Sequence, residues 1–453
     1  MRNRILTMQH SLNKQILRLA IPSILANITI PLVGLVDTAI VGHISDAAAI
    51  GGIAVGTMLF DLLYWNFGFL RVGTSGMTAQ AFGADDTPEC ARLLIRSLGI
   101  AGAGAALILL LQWLFVTAVL ALMPCSAEVA CFARRYFFIR IWAAPATLSL
   151  MALKGWFIGM QDTVSPMVCD IVVNVLNMAV SYALAVYTPL GAIGVAYGTL
   201  VAQYVGLLTA VVLLTAKYRS VLGGIPILPI LRDLSAARRL IRLNSDLFLR
   251  SLCFMAVYVG YTVIASAYGD TELAVSSILM KLFMLFSYFV DGFAYAGEAL
   301  VGRYIGAREG TQLPRVVRLL FVWSLAVGLL FTLVYAILGT DSIRLMTSDT
   351  SVLRAAQSYM GWLIAMPLVS TLAFMWDGVY VGATAGTAIR NAMIWAAVAF
   401  GGAYLITYRW CGPQALYIAY FAHLLARVFY LTARWPAIVN PLREQNTPEV
   451  TIV

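Results

Sequence analysis

A single aspartate, Asp37, lies within the first long apolar stretch of the chain and is the first candidate for chemistry. The surrounding sequence reads IPSILANITIPLVGLVDTAIVGH. A lone carboxyl group in an apolar membrane span must be neutral, paired or in contact with water. Reversible protonation of such a group is what an ion-coupled carrier requires, so the sequence predicts an ion-coupling role for Asp37. The alternative is a structural carboxyl group that bonds to a neighbouring helix.

Two prolines, Pro22 and Pro31, precede Asp37 in the same stretch. Proline removes a backbone hydrogen bond from a helix and permits a kink. We therefore expect a conformational bend in the helix that carries Asp37.

A stripe of polar residues follows in the fifth apolar stretch. Asp170, Asn174, Asn177 and Ser181 are spaced by 4, 3 and 4 residues, which places them on one face of a helix. Such a face could hold a proton network or a hydrated cation that also involves Asp37. An interhelical hydrogen-bond seam is an equally good interpretation, because polar residues commonly form one in membranes.

The second half of the chain carries Asp291 and Glu298 on one helix face in YFVDGFAYAGEALVGRYIGA. Both a coupling role and a structural ion pair remain open for these two residues. The position equivalent to Asp37, near Val259, is uncharged, so we place the coupling site in the N-terminal half.

Further charges inside apolar stretches must pair or contact water, and for the arginines we expect ion pairs. These charges are Asp61, Arg71, Lys154, Asp246, Arg250 and Asp377.

Aromatic and methionine side chains flank these charges. In a cavity they would suit flat organic cations through cation–π and dispersion contacts, although most such residues in a membrane protein are core or lipid-facing. Together with Asp291 and Glu298, the candidate cavity residues are Tyr64, Met77, Tyr136, Met151, Trp156, Phe283 and Met284.

The composition requires that these residues be positioned by membrane-spanning helices. Hydrophobic residues make up 61% of the chain and charged residues 11%, whereas a soluble domain carries about 25% charged residues. The continuous apolar run from Leu98 to Met123 favours helices over a barrel, whose strands would alternate. We predict an all-α protein with twelve spans: 14–41, 48–82, 91–123, 129–160, 164–186, 192–215, 237–268, 272–306, 313–338, 352–382, 387–408 and 414–434.

The sequence also repeats itself. LRLAIP at Leu17 matches IRLNSD at Ile241 after 224 residues, and GWFIG at Gly155 matches GVYVG at Gly378 after 223 residues. We therefore expect two six-helix lobes, residues 1–215 and 237–434, joined by a cytoplasmic linker, 216–236, and followed by a cytoplasmic tail, 435–453. Six spans per half give both lobes one orientation, so a pseudo-two-fold axis should run along the membrane normal.

The distribution of positive charge predicts the orientation of the chain. Arg2, Arg4 and Lys14 precede the first span, and further Lys and Arg residues flank the linker. The positive-inside rule then places both termini of a multi-pass protein in the cytoplasm, in the cytoplasmic (inner) membrane. This topology and contact with membrane lipids account for the net charge of +9, and we expect no nucleic-acid partner. We expect no secretory signal peptide, because the first apolar stretch is too long and contains Asp37.

Motifs for metal, nucleotide or covalent chemistry are missing from the sequence. The six cysteines form no CxxC pair, and neither HExxH, a Walker loop nor GxSxG occurs. We therefore expect no metal, no cofactor other than the coupling ion, and no enzyme activity.

At these residues the chain resembles the multidrug and toxic compound extrusion (MATE) family, specifically its DinF-like branch. The resemblance is carried by LAIPSILANITIPLVGLVDTAIVGH, FGFLRVGTSGMTAQAFGA, IRIWAAPATLSLMALKGWFIGMQDTVSPM, DGFAYAGEALVGRYIGA and DGVYVGATAGTAIRNAM. It implies two six-helix lobes and an antiporter that exports organic cations in exchange for H+ or Na+. It also implies that Asp37 is the ion-coupling carboxylate and that Pro22 matches the family's proline bend.

One position departs from the family pattern. The fifth span usually carries Asn-x-x-x-Asp, and here Asn177 is followed by Ser181 at the Asp position. A Na+ site requires several oxygen ligands and usually charge, so the loss favours H+ over Na+.

We predict a proton-coupled, alternating-access efflux carrier that acts as a monomer on small organic cations or amphipathic compounds. A flippase or exporter of an amphipathic lipid or metabolite is the first alternative, and an intramembrane enzyme is the second.

Overall fold

The computed structural model describes residues 2–44, 47–123, 125–223 and 226–444, and nearly all of these residues are helical. Residues 224 and 225 of the predicted linker and 445–453 of the predicted tail lie outside the described residues. No β-strand occurs in the described ranges, which confirms the all-α prediction.

The helices follow one another with short connections. In chain order they are α1 (Arg2–Ile44), α2 (Ala47–Trp65), α3 (Phe69–Gly83), α4 (Thr87–Leu122), α5 (Ala127–Arg140), α6 (Ala144–Gly159), α7 (Val164–Tyr187), α8 (Gly194–Leu222), α9 (Ile227–Arg232), α10 (Leu234–Ala267), α11 (Asp270–Gly306), α12 (Leu313–Leu338), α13 (Asp341–Arg344), α14 (Thr350–Gln357), α15 (Met360–Gly382), α16 (Gly386–Cys411), α17 (Gln414–Arg434) and α18 (Pro436–Glu444). Two 3-10 turns, Ile141–Ala143 and Gly191–Ile193, precede α6 and α8.

Twelve segments of the described chain are long and apolar enough to cross a membrane, as predicted. The second and the fourth are interrupted within the predicted span. The second span divides into α2 and α3, where the turn contains Asn66 and Gly68. The fourth span is α5, a 3-10 turn and α6, because Pro145 lies in the first turn of α6 and cannot continue the hydrogen-bond ladder of a preceding helix.

Contacts divide the chain into two compact units. The N-terminal unit comprises Leu25–Ala81 and Asp86–Ile241, and the C-terminal unit comprises Met1–Ile24, Phe82–Asp85 and Arg242–Val453. Helix α1 therefore contributes its first part to the C-terminal unit and its remainder to the N-terminal unit. The lobe boundaries expected from the sequence stay a prediction.

In each unit, one glycine of the sequence repeat packs closely against a neighbouring helix. A Cβ atom on Gly155 of α6 would lie 2.2 Å from the carbonyl oxygen of Arg71 on α3. The equivalent Cβ on Gly378 of α15 would lie 2.4 Å from the carbonyl oxygen of Ala294 on α11. Small residues allow such close approach of helices in membranes. The repeat GWFIG/GVYVG thus corresponds to a repeated helix contact.

The turn between α6 and α7 is held by Asp162. Its carboxylate accepts hydrogen bonds from the backbone and hydroxyl of Ser165 at 3.0 and 2.6 Å and from the Lys217 ammonium at 3.0 Å. Burial opposes ionisation of this carboxyl group, but the bonds from Ser165 and Lys217 outweigh it and hold the pKa of Asp162 below its usual value. This charged turn ties the start of α7 to the end of α8.

Candidate functional site

Asp37 lies on α1 in the N-terminal unit, and its side chain is half-buried. Its neighbours Val36 and Ile40 pack into the apolar core of that unit. The Oδ1 atom of Asp37 is buried and accepts no hydrogen bond from the described residues. An unpartnered buried oxygen is costly when it carries charge, so this carboxyl group is a good site for binding a proton or a cation.

A hydrogen bond fixes the depth of Asp37 relative to α7. The amide of Asn174 on α7 donates to the hydroxyl of Thr29 on α1. These helices are the first and fifth spans, so successive crossings give them the same direction. Asp37 lies about 12 Å beyond Thr29, and Ser181 lies about 10 Å beyond Asn174, at about 1.5 Å per residue. The two residues are therefore at nearly the same depth.

Two more buried oxygens without a hydrogen-bond partner in the described part of the chain occur on α7. The amide of Asn177 donates to the Thr199 hydroxyl at 2.8 Å, but its Oδ1 atom accepts no bond from the described residues. The Ser181 hydroxyl is buried and likewise has no described partner. It lies against α8, where a Cβ on Gly198 would come within 2.2 Å of its Oγ. Asn174, Asn177 and Ser181 thus form a polar face that is incompletely satisfied.

Asp170 differs from the other members of the predicted stripe. Its carboxylate forms an ion pair with Lys154 of α6, and both side chains are partly exposed. Asp170 lies near the start of α7, one turn before Asn174. Lys154 therefore neutralises the charge of Asp170. The sequence predicted that Lys154 must pair or contact water, but it did not predict the partner.

Arg140 is a residue that the sequence analysis missed. It ends α5, and its guanidinium donates to the Tyr136 hydroxyl at 3.0 Å. The guanidinium carbon also lies 4.6 Å from the centre of the Phe60 ring, a cation–π contact. The signal was present, because Arg140 interrupts the apolar run FFIRIW inside the predicted fourth span.

The guanidinium of Arg140 interacts electrostatically with two carboxyl groups. These are Asp37 on α1 and Asp61 on α2. Asp61 directly follows Phe60 and is exposed. A charged group inside a span must contact water rather than lipid, so the exposure of Asp61 indicates that this region borders water.

The predicted aromatic and methionine residues of the N-terminal unit occupy different environments. Tyr136 is buried, and its ring centre lies 6.4 Å from that of Phe60. The Tyr64 ring stacks on the Phe60 ring with 5.6 Å between their centres. Met151 is half-buried against the same core cluster and Met77 is buried on α3. Tyr64 and Tyr136 thus lie beside Arg140.

Trp156 has a packing role in this conformation. Its ring is fully buried, and its indole N–H donates to the carbonyl of Cys90 at 2.7 Å. It also makes an edge contact with Tyr218 at 4.9 Å. Trp156 therefore anchors α4, α6 and α8 to one another.

Buried charges in the C-terminal unit form ion pairs, as expected for arginines inside spans. Asp377 of α15 pairs with Arg250 of α10 and with Arg427 of α17. Asp246 of α10 pairs with Arg390 of α16 at 2.6 Å. Asp377 occupies the repeat position of Lys154, so the two units carry opposite charges at equivalent places. Both charges are neutralised within their own unit.

The remaining candidate residues of the C-terminal unit lie on α11. Phe283 is buried and contacts Phe374 at 6.0 Å and Tyr420 at 5.8 Å. Met284 and Asp291 are half-buried, and Glu298 is buried. Phe283 therefore belongs to the core of this unit.

The two predicted bend residues are both inside α1, which continues as one helix from Arg2 to Ile44. Pro22 lies in the part of α1 that belongs to the C-terminal unit, and Pro31 lies in the part that belongs to the N-terminal unit. The role of the two prolines in bending stays a prediction.

Comparison with known proteins now assigns the class. The MatE family model matches residues 22–183 and 247–406. The chain therefore belongs to the MatE family of multidrug and toxic compound efflux transporters, as a multi-pass membrane protein. The predicted resemblance to this family and its DinF-like branch is confirmed.

Individual relatives cover nearly the whole chain. It is 37% identical over 432 residues to DNA damage-inducible protein F of Escherichia coli, covering 94% of this chain and 92% of that protein. It is 22% identical to the probable multidrug resistance protein NorM of Thermotoga maritima, covering 94% and 93% of the two chains. The crystal structure of the MATE transporter VcmN of Vibrio cholerae in its bent form superposes with a TM-score of 0.86 at 20% identity, covering 97% and 99%. That last likeness concerns the fold alone.

Proposed function

We propose that the protein is a proton-coupled antiporter of the cytoplasmic membrane that exports small organic cations by alternating access. The observation that carries the proposal is the buried Oδ1 atom of Asp37, which has no hydrogen-bond donor among the described residues. Membership of an efflux family makes ion-coupled export the natural use of such a group.

The proposed cycle uses the two protonation states of Asp37. The ionised carboxylate binds the cationic substrate, since a negative charge in this apolar surrounding attracts a cation strongly. Protonation from the outside neutralises the carboxylate and releases the substrate outward. Return of the proton to the cytoplasm then resets the site.

Protons are favoured over Na+ by the polar face of α7. Ser181 stands where the family usually has a second carboxylate, so Asn177 and Ser181 supply neutral oxygens only. Asp170 does not replace the missing charge, because it pairs with Lys154. A single carboxylate with neutral oxygens suits proton binding better than a Na+ site, which usually includes more charge.

The test is dye efflux from vesicles that contain the purified full chain, under a pH gradient or a Na+ gradient imposed separately. Efflux driven by the pH gradient supports proton coupling. Efflux driven only by the Na+ gradient would show that Na+ is the coupling ion and that the proton is not. Transport that needs neither gradient would contradict antiport altogether.

A further inference from the structure

Arg140 introduces a positive charge into the site proposed for a cation. Its surroundings are Asp37 on α1, Asp61 and Tyr64 on α2, and Tyr136 on its own helix α5. We call these five residues the Arg140 cluster. All of them belong to the N-terminal unit.

The position of Arg140 is held by several contacts. The Tyr136 hydroxyl accepts its hydrogen bond at 3.0 Å, and the face of the Phe60 ring lies 4.6 Å from its guanidinium carbon. Tyr136 is itself fixed, because a Cβ on Gly56 of α2 would lie 2.6 Å from its ring. Glycine at that position lets α2 and α5 approach each other around the arginine. The guanidinium is therefore part of a packed arrangement.

The net charge of the cluster is small although three of its members, Asp37, Asp61 and Arg140, can carry charge near neutral pH. With Asp37 and Asp61 both ionised, the single guanidinium leaves a net charge of minus one. With one of the two carboxyl groups protonated, the net charge is zero. A site of net charge minus one matches a cation with one positive charge, and protonation abolishes that match.

We propose that Arg140 sets the specificity of the transporter, by holding the cluster at net charge minus one so that monovalent organic cations bind in preference to divalent ones. The proposal rests on the proposed function, because it uses Asp37 as the binding carboxylate. Arg140 acts as an internal cation that shares the carboxylates with the substrate. Its side chain is a specificity determinant that stays protonated and takes no part in proton transfer.

The experiment compares two dyes with the same ring system, ethidium with one positive charge and propidium with two. Equilibrium binding of each dye to the full-length protein in lipid nanodiscs is measured by fluorescence at pH 8. The ratio of the dissociation constants for ethidium and propidium reports the preference for charge. We expect the Arg140→Gln substitution to shift this ratio toward propidium about tenfold, because one positive charge has been removed from the cluster that binds the cation.

Two further variants keep the test valid if Arg140→Gln folds poorly. Asp61→Asn removes one negative charge and should shift the ratio the opposite way, toward ethidium. The double variant Asp61→Asn with Arg140→Gln restores a net charge of minus one and should return the ratio to that of the wild type. Arg140→Lys keeps the charge and should resemble the wild type. Arg135→Gln, an exposed arginine on the same helix, is the matched control and should leave the ratio unchanged.

The outcomes separate this proposal from the function on which it rests. If Asp37→Asn abolishes pH-driven efflux but the dye ratios of Arg140→Gln and Asp61→Asn both equal that of the wild type, Arg140 does not set charge preference and the inference is wrong. If the wild type binds neither dye, or Asp37→Asn transports normally, the proposed function itself fails.

Discussion

At the residue scale, Asp37 combines a half-buried carboxyl group with an oxygen that no described donor reaches. Removing such an oxygen from water costs free energy that no hydrogen bond from a described residue offsets. A proton or a cation bound to the carboxyl group during transport would supply the missing partner. The structural alternative, a carboxyl group bonded to a neighbouring helix, finds no donor to Oδ1 among the described residues.

The first prediction concerns Asp37→Asn. Asparagine keeps the size of the side chain but cannot be ionised, so efflux should fall to the level of vesicles without the protein. The midpoint of thermal unfolding should stay unchanged or rise, because the buried Oδ1 atom has no hydrogen-bond donor among the described residues and the substitution removes its negative charge. Dye efflux and a thermal unfolding curve from one preparation check both parts. Efflux at the wild-type rate would show that Asp37 has no part in the coupling mechanism.

A second prediction separates Asp170 from Asp37. Asp170→Asn leaves Lys154 without its ion-pair partner and should lower the unfolding midpoint, while pH-driven efflux per folded molecule persists. The double variant with Lys154→Met removes both charges and should recover most of the lost stability. If Asp170→Asn abolishes efflux at unchanged stability, Asp170 belongs to the coupling site after all.

At the scale of elements, the ion pairs of Asp377 connect three helices. Arg250 of α10 and Arg427 of α17 both bind this one carboxylate of α15, and Arg427 is almost completely buried. We expect Asp377→Asn to destabilise the protein by about 3–5 kcal/mol, because the buried Arg427 and the partly buried Arg250 lose their counter-charge.

The matched control for Asp377 is Asp341→Asn, which breaks an exposed pair with Arg344 at 2.7 Å and should change stability little. Unfolding midpoints of the two variants in the same detergent provide the comparison. Equal midpoints would show that the Asp377 pairs do not stabilise the packing of these helices.

The bend predicted for α1 gives another test at this scale. Pro22→Ala restores a backbone N–H and should favour a straight helix, so we expect slower transport with little change in substrate affinity. Both quantities are measured on one preparation. No change in either would mean that Pro22 has no part in switching.

Some features of the helices could be predicted from the sequence, and others could not. Long apolar runs predicted the twelve spans, and the repeat GWFIG/GVYVG predicted an equivalence that the glycine contacts of α6 and α15 display. The partner of Asp170 could not be predicted, because two helices with known faces can still pair in many ways. Arg140 was not predicted, because an isolated arginine in a span gives no indication of which carboxyl groups it faces.

At the scale of the whole molecule, the duplication has left the two units chemically different. The N-terminal unit holds Asp37, whose Oδ1 atom has no hydrogen-bond donor in the described part of the chain, whereas the charges Asp246 and Asp377 of the C-terminal unit pair with arginines. Lys154 and Asp377, at equivalent repeat positions, have opposite charge. We infer that the N-terminal unit carries the coupling chemistry and that these pairs of the C-terminal unit contribute stability.

The central claim is that protons bound at Asp37 drive export, and vesicles with imposed gradients test it most directly. We expect wild-type efflux of a cationic dye under a pH gradient without Na+, little stimulation by a Na+ gradient at constant pH, and no pH-driven efflux by Asp37→Asn. Strong efflux under the Na+ gradient together with no response to the pH gradient would contradict the account.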